Sequence, residues 1–184
     1  GAPAVRDTDI YKLERLRWLN SVTGFDTSIP HPYTGLSTTE AKDGFTVQLV
    51  NKQISVGKSG FLSAVKTIAK KNRKGKEVDE VYSVLTSPIN MKLIKDSSEL
   101  TFAPQVFHVE SAIDRVTWNA VSEASGVVMN VSGSTEFDSY SDFKVVLTAT
   151  APLDLDDIQL HVPVRDTIAK WMVGMGADPA RSYE

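Results

Sequence analysis

The stretch VVMNVSGSTEFDSYSDFKVVLTAT, residues 127–150, decides the fold class of this chain. Apolar side chains alternate with polar ones at Val127, Met129 and Val131, and the alternation returns over residues 143–149. A period of two is typical of a half-buried β-strand. Between the two runs, residues 138–141 read Asp-Ser-Tyr-Ser, which favours a turn. The stretch therefore predicts two antiparallel strands joined as a hairpin.

The same period of two extends on both sides of this hairpin, over residues 45–162. About ten short segments are separated by turn residues, without the spacing of parallel βαβ units. This pattern predicts a mostly-β fold: a large antiparallel β-sandwich, of the galactose-mutarotase-like type or a similar supersandwich. Apolar residues near helical spacing predict a short helix over residues 7–20. A segment that follows Pro163 and is stopped by Gly174 and Gly176 predicts a second helix, over residues 165–175.

Length and composition favour one globular domain. The chain has 184 residues, of which 41% are hydrophobic and 23% are charged. These values predict a single β-sandwich domain over residues 1–184. A glycine precedes Ala2 and Pro3 and there is no initiator methionine, so we expect the domain to be cut from a larger multidomain protein.

Composition also argues against several classes of protein. There is no cysteine, so disulfides, thiolate metal sites and a cysteine nucleophile are excluded. The net charge of -3 argues against a general nucleic-acid binder. No apolar run reaches the roughly 18 residues of a membrane-spanning helix. The basic run at residues 66–76 lacks interleaved aromatics and is followed by acidic residues, so it is interpreted as a solvated hairpin loop.

The sequence contains no strong catalytic or cofactor motif: no P-loop, nucleophile elbow or zinc-protease helix is present. His31, His108 and His161 lie far apart, and each is interpreted as a structural residue. The acidic run at 154–157 lacks the glycine spacing of a calcium loop and is interpreted as a polar turn. We therefore predict no metal and no cofactor.

The predicted hairpin tip carries three carboxylates, on Glu136, Asp138 and Asp142. Paired carboxylates perform glycoside hydrolysis. A general acid, however, needs a carboxyl group held in an apolar pocket, and a hairpin tip does not indicate one. A solvated turn is the preferred interpretation, and no catalytic residue is predicted.

Exposed aromatic rings are candidates for stacking on the apolar face of a sugar. Tyr33 and Tyr140 fall in predicted loops. Trp118 belongs to an alternating set, which favours the core over a ligand contact. We take these three rings, with Glu136 and Asp138 on the Tyr140 hairpin, as candidate carbohydrate contacts.

Several stretches, in order along most of the chain, resemble a bacterial family of predicted glycoside hydrolases in which a β-sandwich precedes a (β/α)₈ barrel. The resemblance rests on RLRWLNS (15–21), PYTGL (32–36), residues 50–65 with Gly60-Phe61-Leu62, VTWNA (116–120), TEFDSYSDF (135–143), IQLHVPV (158–164) and AKWMVGMG (169–176). Family members continue after the last stretch with a glycine-rich segment leading into the barrel. Here the chain reads Ala-Asp-Pro-Ala-Arg over 177–181, as expected for an excised amino-terminal sandwich module.

The resemblance implies that the catalytic carboxylates belong to the barrel, so none is assigned here. It also implies a polysaccharide context, a downstream catalytic domain as partner, and a periplasmic or extracellular location. The leading hypothesis is a non-catalytic module that supports the barrel and contacts carbohydrate. The alternatives are a stand-alone carbohydrate- or protein-binding sandwich and a mutarotase-like sugar enzyme. The last would need His108 or His161 to face Glu136.

Overall fold

The computed structural model describes residue 22, residues 27–172 and residues 181–182. Every regular element in these residues is a β-strand. The strands are β1 (Ser37–Ala41), β2 (Gly44–Gln48), β3 (Lys52–Gly57), β4 (Leu62–Arg73), β5 (Lys76–Ser83), β6 (Asn90–Lys95), β7 (Ser98–Glu99), β8 (Ala103–Ser111), β9 (Arg115–Ala124), β10 (Val127–Glu136), β11 (Ser141–Ala149), β12 (Asp157–His161), β13 (Trp171–Met172) and β14 (Arg181–Ser182).

The strands form four antiparallel sheets. The first sheet contains β1 to β5 in sequence order, and the second has the order β11-β10-β9-β8. A three-stranded sheet has the order β12-β6-β7, and β13 pairs with β14. Strands that follow one another along the chain are thus mostly neighbours in a sheet, which is the arrangement of hairpins and meanders. The mostly-β prediction is confirmed.

The two larger sheets pack face to face, and the alternation in the sequence supplies their inner faces. Apolar residues of the first sheet, including Phe45, Val47, Ile54 and Val56, form one buried cluster with Val116 and Trp118 of β9. A second buried cluster contains Phe61, Ala120, Met129 and Val131. The predicted hairpin is present, with Val127 opposite Ala149 and Thr135 opposite Ser141. These contacts confirm the antiparallel sandwich.

Trp118 lies at the centre of the interface between the sheets and is 3% exposed. Its ring centroid lies 5.6 Å from those of both Phe45 and Phe143, with edge-on geometry. Its indole N–H donates a hydrogen bond of 2.8 Å to the carbonyl oxygen of Gly60. Gly133 lies directly opposite on β10, and a Cβ at that position would come within 2.3 Å of the indole ring. The indole therefore fills the space that the missing side chain leaves.

The prediction of terminal helices has two outcomes. The helix over residues 7–20 lies outside the described residues. The helix over 165–175 is wrong for its described part, because residues 166–168 form a turn and β13 follows. The Asp166 carboxylate accepts a bond from the N–H of Thr167, and the N–H groups of Ile168 and Ala169 both donate to Arg165 O. Local bonding thus closes a single turn, and the chain then pairs with a strand ten residues further on.

Candidate functional site

Three segments meet at one end of the sandwich and enclose a cleft of about 300 Å³. They are the loop before β1, the turn between β2 and β3, and the turn between β10 and β11. The described residues that line the cleft are Pro32, Tyr33, Leu49, Val50, Asn51, Lys52, Phe137, Asp138 and Ser139. We call this the end cleft.

The aromatic side of the end cleft is formed by Tyr33 and Phe137. The Tyr33 ring stands edge-on to the Phe137 ring, with 5.4 Å between centroids and 69° between planes. The Tyr33 N–H donates to Pro30 O, and the Phe137 N–H donates to Asp114 O, both at 2.9 Å. Tyr33 nevertheless remains 43% exposed. The contact with Phe137 therefore positions the Tyr33 ring while leaving part of it accessible.

The polar side of the end cleft combines an ammonium, a hydroxyl and a carboxylate. Lys52 Nζ donates to Ser139 Oγ at 2.6 Å, joining the β2–β3 turn to the β10–β11 turn. The Asp138 carboxylate accepts a bond of 2.7 Å from the N–H of Tyr140. Both charged groups lie on exposed residues. The cleft can thus offer donors and an acceptor to a polar ligand beside an aromatic ring.

The structure brings two of the five predicted contact residues into the cleft, namely Tyr33 and Asp138. Glu136 lies in the same hairpin, but its carboxylate forms an ion pair with Arg115. The Tyr140 ring is 61% exposed and is not among the described residues that line the cleft. Trp118 is a correction: its ring is enclosed by the core, so it has no face free for a sugar and is removed from the candidates.

Sequence reasoning missed Asn51, Lys52, Phe137 and Ser139 as members of the site. The sequence predicts a turn at residues 138–141. Nothing in that turn indicates that it lies beside the turn between β2 and β3, because Lys52 and Ser139 are 87 positions apart.

The histidines are not joined to Glu136 by any contact recorded among the described residues. His108 Nε2 lies 3.2 Å from a carboxylate oxygen of Glu110, its neighbour on the same side of β8. His161 lies on the exposed strand β12. Glu136 is already paired with Arg115. The mutarotase-like alternative therefore gains no support from these contacts.

The basic run at 66–76 forms the end of the long β4–β5 hairpin, where three of its six cationic side chains, on Lys70, Lys71 and Arg73, form ion pairs across the strands. Lys71 lies 2.6 Å from Glu80, and Lys70 lies 3.5 Å from Glu77. The hydrogen bond from Lys71, followed by that from Tyr82, holds the pKa of the Glu80 carboxyl below its usual value. Exposed ion pairs of this kind contribute little to stability. The solvated-hairpin interpretation agrees with these contacts.

Two carboxylates of the acidic run at 154–157 accept hydrogen bonds from neighbouring groups of the protein. The Asp156 carboxylate accepts a bond of 2.9 Å from the N–H of Ser97, and the Asp157 carboxylate accepts bonds from Ile158 and Gln159. Within the described residues, no group of three or more His, Asp or Glu side chains is arranged to hold a metal ion. The described part of the chain also contains no helix that is long and apolar enough to cross a membrane.

A second surface depression, of about 580 Å³, lies between the edge strands β1 and β8. Thr38 Oγ1 donates to Ser111 Oγ at 3.3 Å near one end of it. Phe45 and Phe107 lie at its base, and Glu40, Lys42, Lys58 and His108 are among the polar residues around it. We call this the side groove.

Taken together, the facing antiparallel sheets and the aromatic cleft between their connecting loops define this chain as a β-sandwich domain. The family model described as glycoside hydrolase 123, third domain, matches residues 41–182. The match spans well over half of the chain, and the chain belongs to this family. A search of curated proteins finds no match.

The family assignment confirms the resemblance to a glycoside hydrolase. A third domain implies that other domains accompany it in proteins of this family. The resemblance implied a sandwich that precedes the catalytic barrel. The position of this domain relative to that barrel stays a prediction.

Proposed function

We propose that this chain is a non-catalytic domain of a larger exported glycoside hydrolase, where it supports the catalytic barrel and contacts carbohydrate through the end cleft. The observation that carries the proposal is the Tyr33 ring, fixed edge-on against Phe137 beside Lys52 and Asp138. Membership of the glycoside hydrolase 123 third-domain family supports the carbohydrate context. The periplasmic or extracellular location follows from the same context and is part of the proposal.

The chemistry of the end cleft suits a neutral sugar. Small-molecule sites combine aromatic surface with a few placed polar groups, and their volumes start at about 300 Å³. A cleft of that size takes a single sugar ring with its C–H face on Tyr33. The charges of Lys52 and Asp138 offset each other, so we expect no preference for an acidic sugar. Their polar atoms can bond to ring hydroxyls that would otherwise bond to water.

The carboxylates near the cleft are poorly placed for hydrolysis. Asp138 supplies the only carboxylate among the described residues that line the cleft. Glycoside hydrolysis uses two carboxyl groups on opposite sides of the bond, and the acid needs an apolar surrounding that raises its pKa. Asp138 is exposed, and the nearby Glu136 is held by Arg115. A binding role fits these groups better than a catalytic one.

Tyr33→Ala is expected to remove most of the affinity for carbohydrate, because it removes the stacking surface of the cleft. The matched control is Tyr140→Ala, which truncates a more exposed tyrosine outside the cleft lining. A glycan array on the wild-type chain selects the ligand, and isothermal titration then compares the two variants. If Tyr140→Ala weakens binding as much as Tyr33→Ala does, the end cleft is not the site.

The isolated chain is expected to hydrolyse no glycoside, since the described residues that line the end cleft supply no second carboxylate across from Asp138. The release of phenol from a panel of aryl glycosides measures hydrolysis by the isolated chain directly. Turnover that an Asp138→Asn variant abolishes would show that the cleft is catalytic, and the non-catalytic assignment would have to be abandoned.

A stand-alone binding domain is the second candidate function, favoured by one observation. The Tyr33–Phe137 ring contact and the Lys52–Ser139 hydrogen bond hold the two sides of the end cleft together within the sandwich itself. The two proposals differ in one measurement. If the chain binds the downstream barrel domain in solution, it acts as a supporting module; if it binds sugar but not that domain, it acts alone.

A further inference from the structure

Strand β12 (Asp157–His161) forms one edge of the three-stranded sheet β12-β6-β7. One side of the strand pairs with β6, and no described strand pairs with its other side. All five of its residues are exposed. An open edge presents unpaired backbone groups and is a template for pairing with another strand.

One face of β12 is apolar and continues a layer that begins in the core. Ile158 lies opposite Leu93, and Leu160 lies opposite Met91, so all four side chains share one face of the sheet. Leu93 is 0% exposed, whereas Ile158 is 51% and Leu160 is 57% exposed. The apolar layer therefore runs out to the edge of the sheet, where no described residue covers it.

Two of the other edge strands, β8 and β5, carry features that oppose pairing. Edge strand β8 contains Pro104, and its register shifts between Pro104 and Val106. Edge strand β5 reads Lys-Glu-Val-Asp-Glu over its first five residues. Proline, irregular register and dense charge are the usual protections of an exposed edge. Strand β12 contains no proline or lysine and pairs with β6 in regular register.

We propose that β12 is an interface between two copies of this chain, which pair antiparallel about a two-fold axis at Gln159. In this register Gln159 faces Gln159 of the second copy, and Ile158 faces Leu160 of the second copy. Asp157 then faces His161 of the second copy, so a carboxylate meets an imidazole twice in each dimer. The apolar face and the polar face are both self-complementary in this one register.

The polar side chains at the two ends of β12, Asp157 and His161, favour a second copy of this chain as the binding partner of the strand. The Asp157 carboxylate accepts bonds from Ile158 N–H and the Gln159 amide. In the paired state the Ile158 N–H donates instead to the Leu160 carbonyl of the second copy, which frees that carboxylate oxygen for a further donor. The imidazole of His161 in the second copy provides that donor. Pairing joins two three-stranded sheets into a single sheet of six strands and places Ile158 of each copy in cross-strand contact with Leu160 of the other. Such an edge contact is smaller than the roughly 800 Å² per partner of a standard interface, so the dimer is weak and transient.

The absence of cysteine allows a direct test, because one introduced thiol per chain is unique. Gln159→Cys places that thiol on the proposed axis, and Thr39→Cys on edge strand β1 is the control. With a short bismaleimide, Gln159→Cys is expected to form covalent dimer and Thr39→Cys only the background of random collision. Adding Leu160→Lys to Gln159→Cys is expected to reduce the dimer to that background, with circular dichroism confirming the fold.

Sedimentation of the wild-type chain over a concentration series provides the second readout. The average mass is expected to rise with concentration, and Leu160→Lys is expected to hold it at the monomer. Equal cross-linking at positions 39 and 159, or cross-linking at 159 that Leu160→Lys does not reduce, would overturn the proposal. So would a wild-type chain that stays monomeric and does not cross-link at 159, since another segment or domain would then cover β12.

Discussion

Trp118→Ala is expected to lower the free energy of unfolding by about 3–5 kcal/mol, the usual cost of truncating a buried large aromatic side chain. The indole is 3% exposed and contacts the rings of Phe45 and Phe143, one from each facing sheet. Its removal also leaves the carbonyl of Gly60 without its indole donor. A loss of this size is a large part of the 5–15 kcal/mol that typically holds a domain folded.

Urea denaturation measures this loss when unfolding is monitored by far-ultraviolet circular dichroism, a backbone signal that does not depend on tryptophan fluorescence. Tyr140→Ala is the control, because it truncates an aromatic residue that is 61% exposed, and surface changes usually stay within about 0.5 kcal/mol. If Trp118→Ala cost no more than Tyr140→Ala, the ring would not lie between the sheets. Trp118 would then return to the candidate sugar contacts.

Gly133→Ala is expected to destabilise the chain by about 1–3 kcal/mol, the usual cost of overpacking a core. A Cβ at this position would meet the Trp118 ring at 2.3 Å, so the ring or the strand must move. An aromatic side chain that covers a glycine on a neighbouring strand is a known device of β-sheets. Gly57→Ala is the matched control, since its nearest neighbour would lie at 3.7 Å, an ordinary contact.

The same denaturation experiment on the Trp118→Ala, Gly133→Ala double variant tests whether the loss comes from a clash with the indole ring. Once Trp118→Ala has emptied the space, Gly133→Ala should cost much less than it does alone, because residues in contact are not additive. Additive losses would show that Gly133 acts through its backbone and that the fit between the two residues has no role.

The alternation of apolar residues was sufficient to predict the sandwich. In residues 127–150 the alternating apolar positions 127, 129 and 131 are buried and positions 143, 145 and 147 are half-buried, because a period of two places successive side chains on opposite faces. Ala149, at the end of the alternation, is exposed. The same reasoning failed over residues 165–172. Ile168, Trp171 and Met172 are spaced as on a helix, but a single turn and a strand form there. The strand that pairs with β13 lies at 181–182, beyond the reach of a local pattern.

The site was predictable only in part, for a related reason. Tyr33 and Asp138 were identified one by one, from a ring in a loop and a carboxylate in a turn. Their meeting with Lys52 depends on how the two sheets stack, which no short stretch of sequence encodes. For Trp118 the sequence pattern was the better guide. Its alternating context favoured the core, whereas the predicted sugar contact rested on residue type alone.

Carbohydrate binding in the end cleft without cleavage can be observed by titrating the ¹⁵N-labelled chain with the glycan selected by the array and recording two-dimensional NMR spectra. Amide shifts are expected to concentrate at Tyr33, at Asn51 and Lys52, and over residues 137–139, with the glycan recovered intact. Shifts that concentrate instead at the side groove, around Glu40 and His108, would show that the end cleft is not the binding site.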